Sequence, residues 1–225
     1  MNTLAGGRPG ENATKEIGEM VIWKTVLASL AIGMAATFAA TAVAQDASQD
    51  KQGEREEAKT VTVKMVTSKG DIVIALNQEK APISVENFIM YAEKGHYEGT
   101  IFHRVIPGFM IQGGGMNADM QPRETEDPIK NEWRNGLSNK RGSIAMARLG
   151  NQPDSATSQF FINVSDNAFL DQPRDGAGYA VFGEVVEGMD VVDAIVAVPT
   201  ATKPPHANVP QEPITIEKVE VVSWE

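Results

Sequence analysis

The chain has 225 residues, 42% hydrophobic, 22% charged and 6% aromatic, a globular composition with enough apolar residues for one domain and a real core, which excludes a disordered or collagen-like chain. Its 30 acidic and 20 basic residues give a net charge of −10, a field that repels phosphate backbones, so no nucleic-acid partner is expected. The absence of cysteine excludes a disulfide framework, a zinc-thiolate site, an iron-sulfur centre and a lipid-modified N-terminal Cys, and leaves reducing and oxidising compartments equally permissible.

In chain order, residues 1–19 come first and place Glu11, Glu16 and Glu19 where an export signal requires basic residues. They read as an over-called N-terminal extension, with translation starting at Met20. Residues 20–44 read as a signal peptide. Met20-Val21-Ile22-Trp23-Lys24 forms its basic start, Thr25 to Ala44 carries no charge, and Ala42-Val43-Ala44 has the small-x-small form of a cleavage site. Cleavage after Ala44 would release an exported protein with no stable membrane association. The rival reading is an uncleaved inner-membrane anchor facing the periplasm, because the uncharged stretch is just long enough to span a hydrocarbon core. The low insertion energy of Ala and Thr, and the small-x-small end, favour cleavage. Residues 45–59, with five acids, three bases and no bulky apolar residue, are expected to form a disordered acidic tether.

From residue 60 to 225 the pattern becomes that of a folded domain. Short runs of period two, bounded by Gly, Pro, Asn or Asp, predict strands at Val61 to Val66, Ile72 to Leu76, Ile101 to Ile106, Met110 to Gly113, Ser143 to Ala147, Phe160 to Val164, Ala180 to Val186 and Ile214 to Val222. Val85, Phe88, Ile89 and Ala92 lie at helical spacing between start signals at Pro82 and Ser84 and a stop at Gly95. A second helix is predicted from about Met189 to Val198, with Val192, Ile195 and Val196 as its apolar stripe. Lys203 to Pro213, with four prolines, reads as a stiff surface loop. The expected fold is mainly β: a closed eight-stranded antiparallel β-barrel capped by two α-helices.

Several chemistries fail on inspection. There is neither a P-loop nor a dinucleotide fingerprint, no Gly-x-Ser-x-Gly elbow, and no His-Glu-x-x-His pair. Three histidines, His96, His103 and His206, are too few for a histidine-rich metal site, and no metal or cofactor is expected. Ser158, His103 and Asp154 are compatible with a triad only in the sense that most chains contain such residues. More informative is Phe160 to Val164. Alternation sends Phe160, Ile162 and Val164 into the core and leaves Gln159, Phe161 and Asn163 on the opposite face, where an aromatic marks a binding surface or lies under a covering segment. Pro107-Gly108 suits a type II turn, which would pair the flanking strands and bring Arg104 near Met110 and Gln112.

Phe102-His103-Arg104-Val105-Ile106-Pro107-Gly108-Phe109-Met110-Ile111-Gln112-Gly113-Gly114 resembles the signature of the cyclophilin-type peptidyl-prolyl cis-trans isomerases. Met146-Ala147-Arg148 with Ser158-Gln159-Phe160-Phe161-Ile162 resembles its second signature, and Val181-Phe182-Gly183 with Glu187-Gly188-Met189-Asp190 the entry to its last helix. The resemblance spans about Val61 to Val222 and is greatest to the bacterial periplasmic branch, which implies a periplasmic location. It implies isomerisation of X-Pro bonds in unfolded or partly folded polypeptides, without metal or cofactor, by a monomer. A proline-binding chaperone or assembly module is the alternative. Carried over by motif, Arg104 is catalytic, and Phe109, Met110, Phe161 and Leu170 form the proline pocket. Gln112 and the backbone around Arg148 hold the substrate, Ala147 and Gln159 line the groove, and His103 is a wall residue. Phe169 and Tyr179 stand where the animal cytosolic branch has tryptophan and histidine, so weak cyclosporin binding is expected.

Overall fold

The computed structural model describes residues 59–172 and 175–225. The expected extension, signal peptide and, apart from Lys59, the acidic tether lie outside the described residues.

The first hairpin shows how local pattern becomes core. Strands β1 (Thr60–Thr67) and β2 (Gly70–Asn77) pair antiparallel over their whole length. The Thr67 hydroxyl donates to the Gly70 carbonyl at 2.7 Å and accepts from the Lys69 N–H at 3.1 Å, closing the turn. Alternation buries Val61, Val63 and Met65 from one strand and Ile72, Ile74 and Leu76 from the other, and leaves their neighbours on the outer face. Helix α1 (Pro82–Glu93) then lays Val85, Phe88, Ile89 and Ala92 on this layer. Gly95, at φ +67°, ends it: its N–H donates to Ala92 O and that of His96 to Tyr91 O, so the last carbonyls are satisfied.

The remaining strands are β3 (Thr100–Ile101), β4 (Arg104–Ile106), β5 (Met110–Gly113), β6 (Ser143–Met146), β7 (Phe160–Asn163), β8 (Val181–Glu187), β9 (Thr200–Lys203), β10 (His206–Pro210) and β11 (Thr215–Trp224), with helix α2 (Met189–Val196) between β8 and β9. Nine of the eleven described strands form one antiparallel sheet in the order β3-β11-β1-β2-β8-β6-β7-β5-β4. The class is as expected, mainly β with two helices, but the closed eight-stranded barrel needs correction. Among the described residues the sheet has two edges, β3 and β4, and no ladder joins them. The run expected as one strand, Ile101 to Ile106, divides at Phe102-His103, because its first part pairs with β11 and its second with β5. The chain itself therefore bridges the two edges of the curled sheet.

A second correction concerns Lys203 to Pro213. Instead of a loop, most of it belongs to an antiparallel hairpin, β9 with β10, that packs against β4 and buries Val209. Burial of the Val209 side chain, which the proline count does not reveal, makes this a fixed part of the fold.

Inside the curl, Phe88, Phe102, Phe160 and Phe182 join the aliphatic layer in one core cluster. A smaller cluster lies apart from it: Met110, Ala145, Phe161, Leu170 and Val181, with Ile106, Phe109, Leu137, Ala147 and Tyr179 packed on it. Adjacent residues of β7 enter different clusters, Phe160 and Ile162 the first and Phe161 the second, as strand alternation requires.

Candidate active site

The site is built on the outer face of β4, β5 and β7. Gly108, at φ +71° with open space around it, lets the chain reverse after Ile106, and the Phe109 N–H donates to Ile106 O at 3.1 Å. The turn sets the register. Arg104 falls opposite Gln112, and Gln112 opposite Phe161.

Three polar side chains follow in series along this face. Arg104 Nη1 donates to Gln112 Oε1 at 3.4 Å, and Gln112 Nε2 donates to Gln159 Oε1 at 3.0 Å. Gln159 reaches this position by lying against backbone: a Cβ on Gly115 would stand 2.3 Å from Gln159 Cγ, so a side chain there would expel it. Ala147 adjoins the row, its N–H bonded to Gln159 O at 3.0 Å.

Beside the polar row lies the smaller apolar cluster. Met110 and Phe161 are almost wholly covered, and the Tyr179 ring meets Phe161 edge-on with centroids 5.7 Å apart. In the short 3-10 turn Ala168–Leu170, Leu170 points inward while Phe169 remains 49% exposed, stacked on Phe109 at 5.7 Å. Concavities of about 330 and 400 Å³ are lined by neither Arg104, Gln112 nor Phe161, although Leu137 and Val181 of the cluster border the first.

Arg148 and His103 stand differently from the other expected residues. The Arg148 side chain is 2% exposed. Its five N–H groups are all engaged, two by Asp175, the others by the carbonyls of Leu149, Ala177 and Gly178, and its plane covers the Tyr179 ring at 4.5 Å. Among the described residues its guanidinium therefore has no donor left over for a substrate. These bonds hold the Asp175 carboxyl down at about 2. His103 is buried, with Nδ1 lacking a hydrogen-bond partner among the described residues. Burial first, then His206 and Arg104, push its imidazole down to about 4. The Ser158-His103-Asp154 combination is not assembled: among the described residues Ser158 Oγ and His103 Nδ1 have no partners, and Asp154 accepts from the Asn131 N–H. Among the described residues no group of three or more His, Asp or Glu is placed to hold a metal ion.

Sequence reading missed Asp175, and it missed Asn139 and Asn167 beside the apolar cluster, whose partners Asp171, Tyr179 and Phe109 are distant in the chain. It placed Asn163 on the outer face without giving it a task.

Comparison with known proteins points the same way as the geometry. The family described as cyclophilin type peptidyl-prolyl cis-trans isomerase matches residues 62–221. A peptidyl-prolyl cis-trans isomerase of Acinetobacter baylyi is 58% identical over 161 residues, covering 72% of this chain and 85% of that protein. Peptidyl-prolyl cis-trans isomerase A of Dickeya dadantii is 56% identical over 160 residues, covering 71% of this chain and 84% of that protein. A crystal structure of a cyclophilin type peptidyl-prolyl cis-trans isomerase of Cryptosporidium parvum, in the presence of the dipeptide Ala-Pro, is similar with a TM-score of 0.56 at 28% identity, covering 72% of this chain and 99% of that one.

Proposed function

The chain belongs to the cyclophilin-type peptidyl-prolyl cis-trans isomerases, and from that premise we propose that the face shared by β4, β5 and β7 is its catalytic surface, with Arg104 acting on the prolyl bond and the cluster around Phe161 receiving the proline ring. The protein accelerates X-Pro isomerisation. The observation that carries the site assignment is the register: β4, β5 and β7 bring Arg104, Gln112 and Phe161 into line beside an apolar cluster that is separate from the core.

Rotation about a peptide bond is opposed by about 18 to 20 kcal/mol because twisting destroys amide resonance. At the twisted geometry the prolyl nitrogen regains a localised lone pair. A guanidinium N–H aimed at that nitrogen stabilises the twisted state more than the planar one, which is the condition for catalysis. Arg104 is half-buried and, among the described residues, makes one long hydrogen bond, so it has donors to offer. Gln112 and Gln159 supply amides for the substrate carbonyl on one side of the bond, and Phe109, Met110, Phe161 and Leu170 grip the ring on the other. A thousandfold acceleration needs about 4 kcal/mol, which a few such contacts supply without a nucleophile.

The substrates are proline-containing segments of unfolded or partly folded exported proteins. The Ala-Pro dipeptide of the Cryptosporidium parvum crystals supports a proline-sized occupant, and the uncharged segment ending in Ala42-Val43-Ala44 supports a periplasmic location. Cyclosporin binds weakly, because Phe169 has no ring N–H to offer. NMR exchange spectroscopy with an Ala-Pro tetrapeptide tests the site: faster cis-trans exchange, with shifts concentrated at Phe109, Gln112 and Phe161, is expected, and shifts confined to another face would overturn it. N-terminal sequencing of protein exported by a bacterial host should begin at Gln45, and recovery of residues 20–44 in the membrane fraction would favour the anchor.

A further inference from the structure

Asn163 is fully buried in a strand beside the apolar cluster, a position that Val or Leu would fill without desolvating an amide. Its polar atoms are nevertheless satisfied. Nδ2 donates to Asn139 Oδ1 at 3.0 Å and to Ser143 Oγ at 2.9 Å, and Oδ1 accepts from Asn167 Nδ2 at 2.7 Å. The chain of amides continues in both directions. Asn167 Nδ2 also donates to the Phe109 carbonyl at 2.8 Å, which takes a second bond from the Val164 N–H at 3.0 Å. Asn139 Nδ2 donates to Asp171 Oδ1 at 2.8 Å and to the Tyr179 carbonyl at 3.3 Å, while the Asn139 carbonyl accepts the Asn167 N–H at 2.7 Å.

Each end of this relay is a wall of the candidate pocket. Phe109 leaves the β4–β5 turn, Asn167 and Asp171 flank the turn that carries Phe169 and Leu170, and Tyr179 stands against Phe161. These walls lie outside the strands, where isolated backbone bonds, Val164 N–H to Phe109 O at 3.0 Å and Tyr179 N–H to Leu170 O at 2.9 Å, stand in place of a continuing sheet ladder. The directional amide hydrogen bonds add to these in a dry environment, and a fully satisfied network of this kind rigidifies what it joins. We propose that Asn163, with Asn139 and Asn167, is a positioning unit for the proline pocket: it touches no substrate, and it holds the Phe109, Phe169–Leu170 and Tyr179 segments at a fixed distance from Phe161. The inference rests on the reading of that cluster as the proline site. It also gives a task to Asn139, at the end of the long 115–142 segment.

Because the relay supports ring binding and leaves Arg104 alone, its loss removes interactions common to the planar and twisted states. Asn163→Val should therefore raise KM for an Ala-Pro tetrapeptide about tenfold and keep kcat within about twofold. Asn139→Ser should do the same, and the double variant should be no worse than the poorer single, since both break one network. The proton shifts of the stacked Phe109 and Phe169 rings should move toward those of separated rings in both. Glu132→Ala is the control. Glu132 lies in the same 115–142 segment, but its carboxylate accepts from Ile83 N–H, Ser84 N–H and Ser84 Oγ at the start of α1, so Tm should fall while KM stays unchanged. If Asn163→Val does not fold, Asn167→Ser, which spares the bonds among Asn139, Asn163 and Ser143, reads the same KM. Folded variants with unchanged KM and unchanged ring shifts overturn the proposal, as does a loss confined to kcat. Peptide mapping on the unaltered protein separates the two claims: shifts away from Phe161 defeat the pocket assignment, whereas shifts at Phe161 with undiminished affinity in the variants defeat the relay alone.

Discussion

Arg104 and Gln112 face each other across the β4–β5 ladder, joined by a 3.4 Å hydrogen bond from the guanidinium to the amide oxygen. A bond of that length orients the guanidinium and gives way readily to a better acceptor. The nitrogen of a twisted prolyl amide is such an acceptor. Arg104→Ala should lower kcat/KM by one to three decades, roughly 1.4 to 4 kcal/mol, with Tm nearly unchanged. Lysine should rescue poorly, because it lacks the planar fork. Full activity in folded Arg104→Ala would sink the mechanism.

Arg148 does the opposite of Arg104: every N–H it has is spent on its own protein. Arg148→Met should free Tyr179 and the Asp175 to Gly178 backbone, lowering Tm by about 5 °C and weakening peptide binding more than it slows turnover. Asp175, depressed to about 2 by Arg148, contributes stability that is present above the ordinary aspartate range and lost as pH falls through about 2. Acid unfolding curves should show that limb in the native chain and not in Arg148→Met. An unchanged acid limb in the variant would show that Arg148 does not hold this carboxyl.

His103 sets a second, higher pH window. Its folded value of about 4 lies below the ordinary 6.5, so the unfolded chain binds the extra proton. The resulting penalty is absent above about 6.5 and grows as pH falls from there toward about 4, a change on the order of 3 kcal/mol. His103→Gln should flatten the difference in stability between pH 7 and pH 4.5. Parallel denaturant titrations check this, and identical slopes in the two proteins would place His103 elsewhere than in a dry site between Arg104 and His206.

Phe169 is half-exposed and stacked on Phe109, so a larger ring can replace it without entering the core. The phenyl ring offers area but no donor, and an unpaired drug carbonyl costs about 1 to 3 kcal/mol. Phe169→Trp should tighten cyclosporin inhibition by roughly one to two decades and alter peptide turnover much less. Unchanged inhibition would remove Phe169 from the drug contact.

What the sequence determined by itself is what depends on neighbours in the chain. Alternation from Val61 to Val66 specifies which side chains are buried because successive residues of a strand must face opposite ways. The same rule separates Phe161 from Phe160. Gly95 and Gly108 mark a helix stop and a turn because both require a positive φ that other residues resist. Tertiary structure decided whatever depends on which segments meet. Phe102-His103 breaks a run that alternation alone would continue, because the two halves pair with different strands. Val209 turns an apparent loop into a hairpin by finding a place to be buried. The two arginines of the signatures are alike as residues, yet Asp175 and three carbonyls immobilise one while the other keeps donors free. The amides of Asn139, Asn163 and Asn167 become a support for the pocket only when folding removes water and leaves each with the others as partners. A hydrogen-bonding side chain carries no record in the sequence of what will satisfy it, whereas an apolar one needs only a direction, and the backbone supplies that locally.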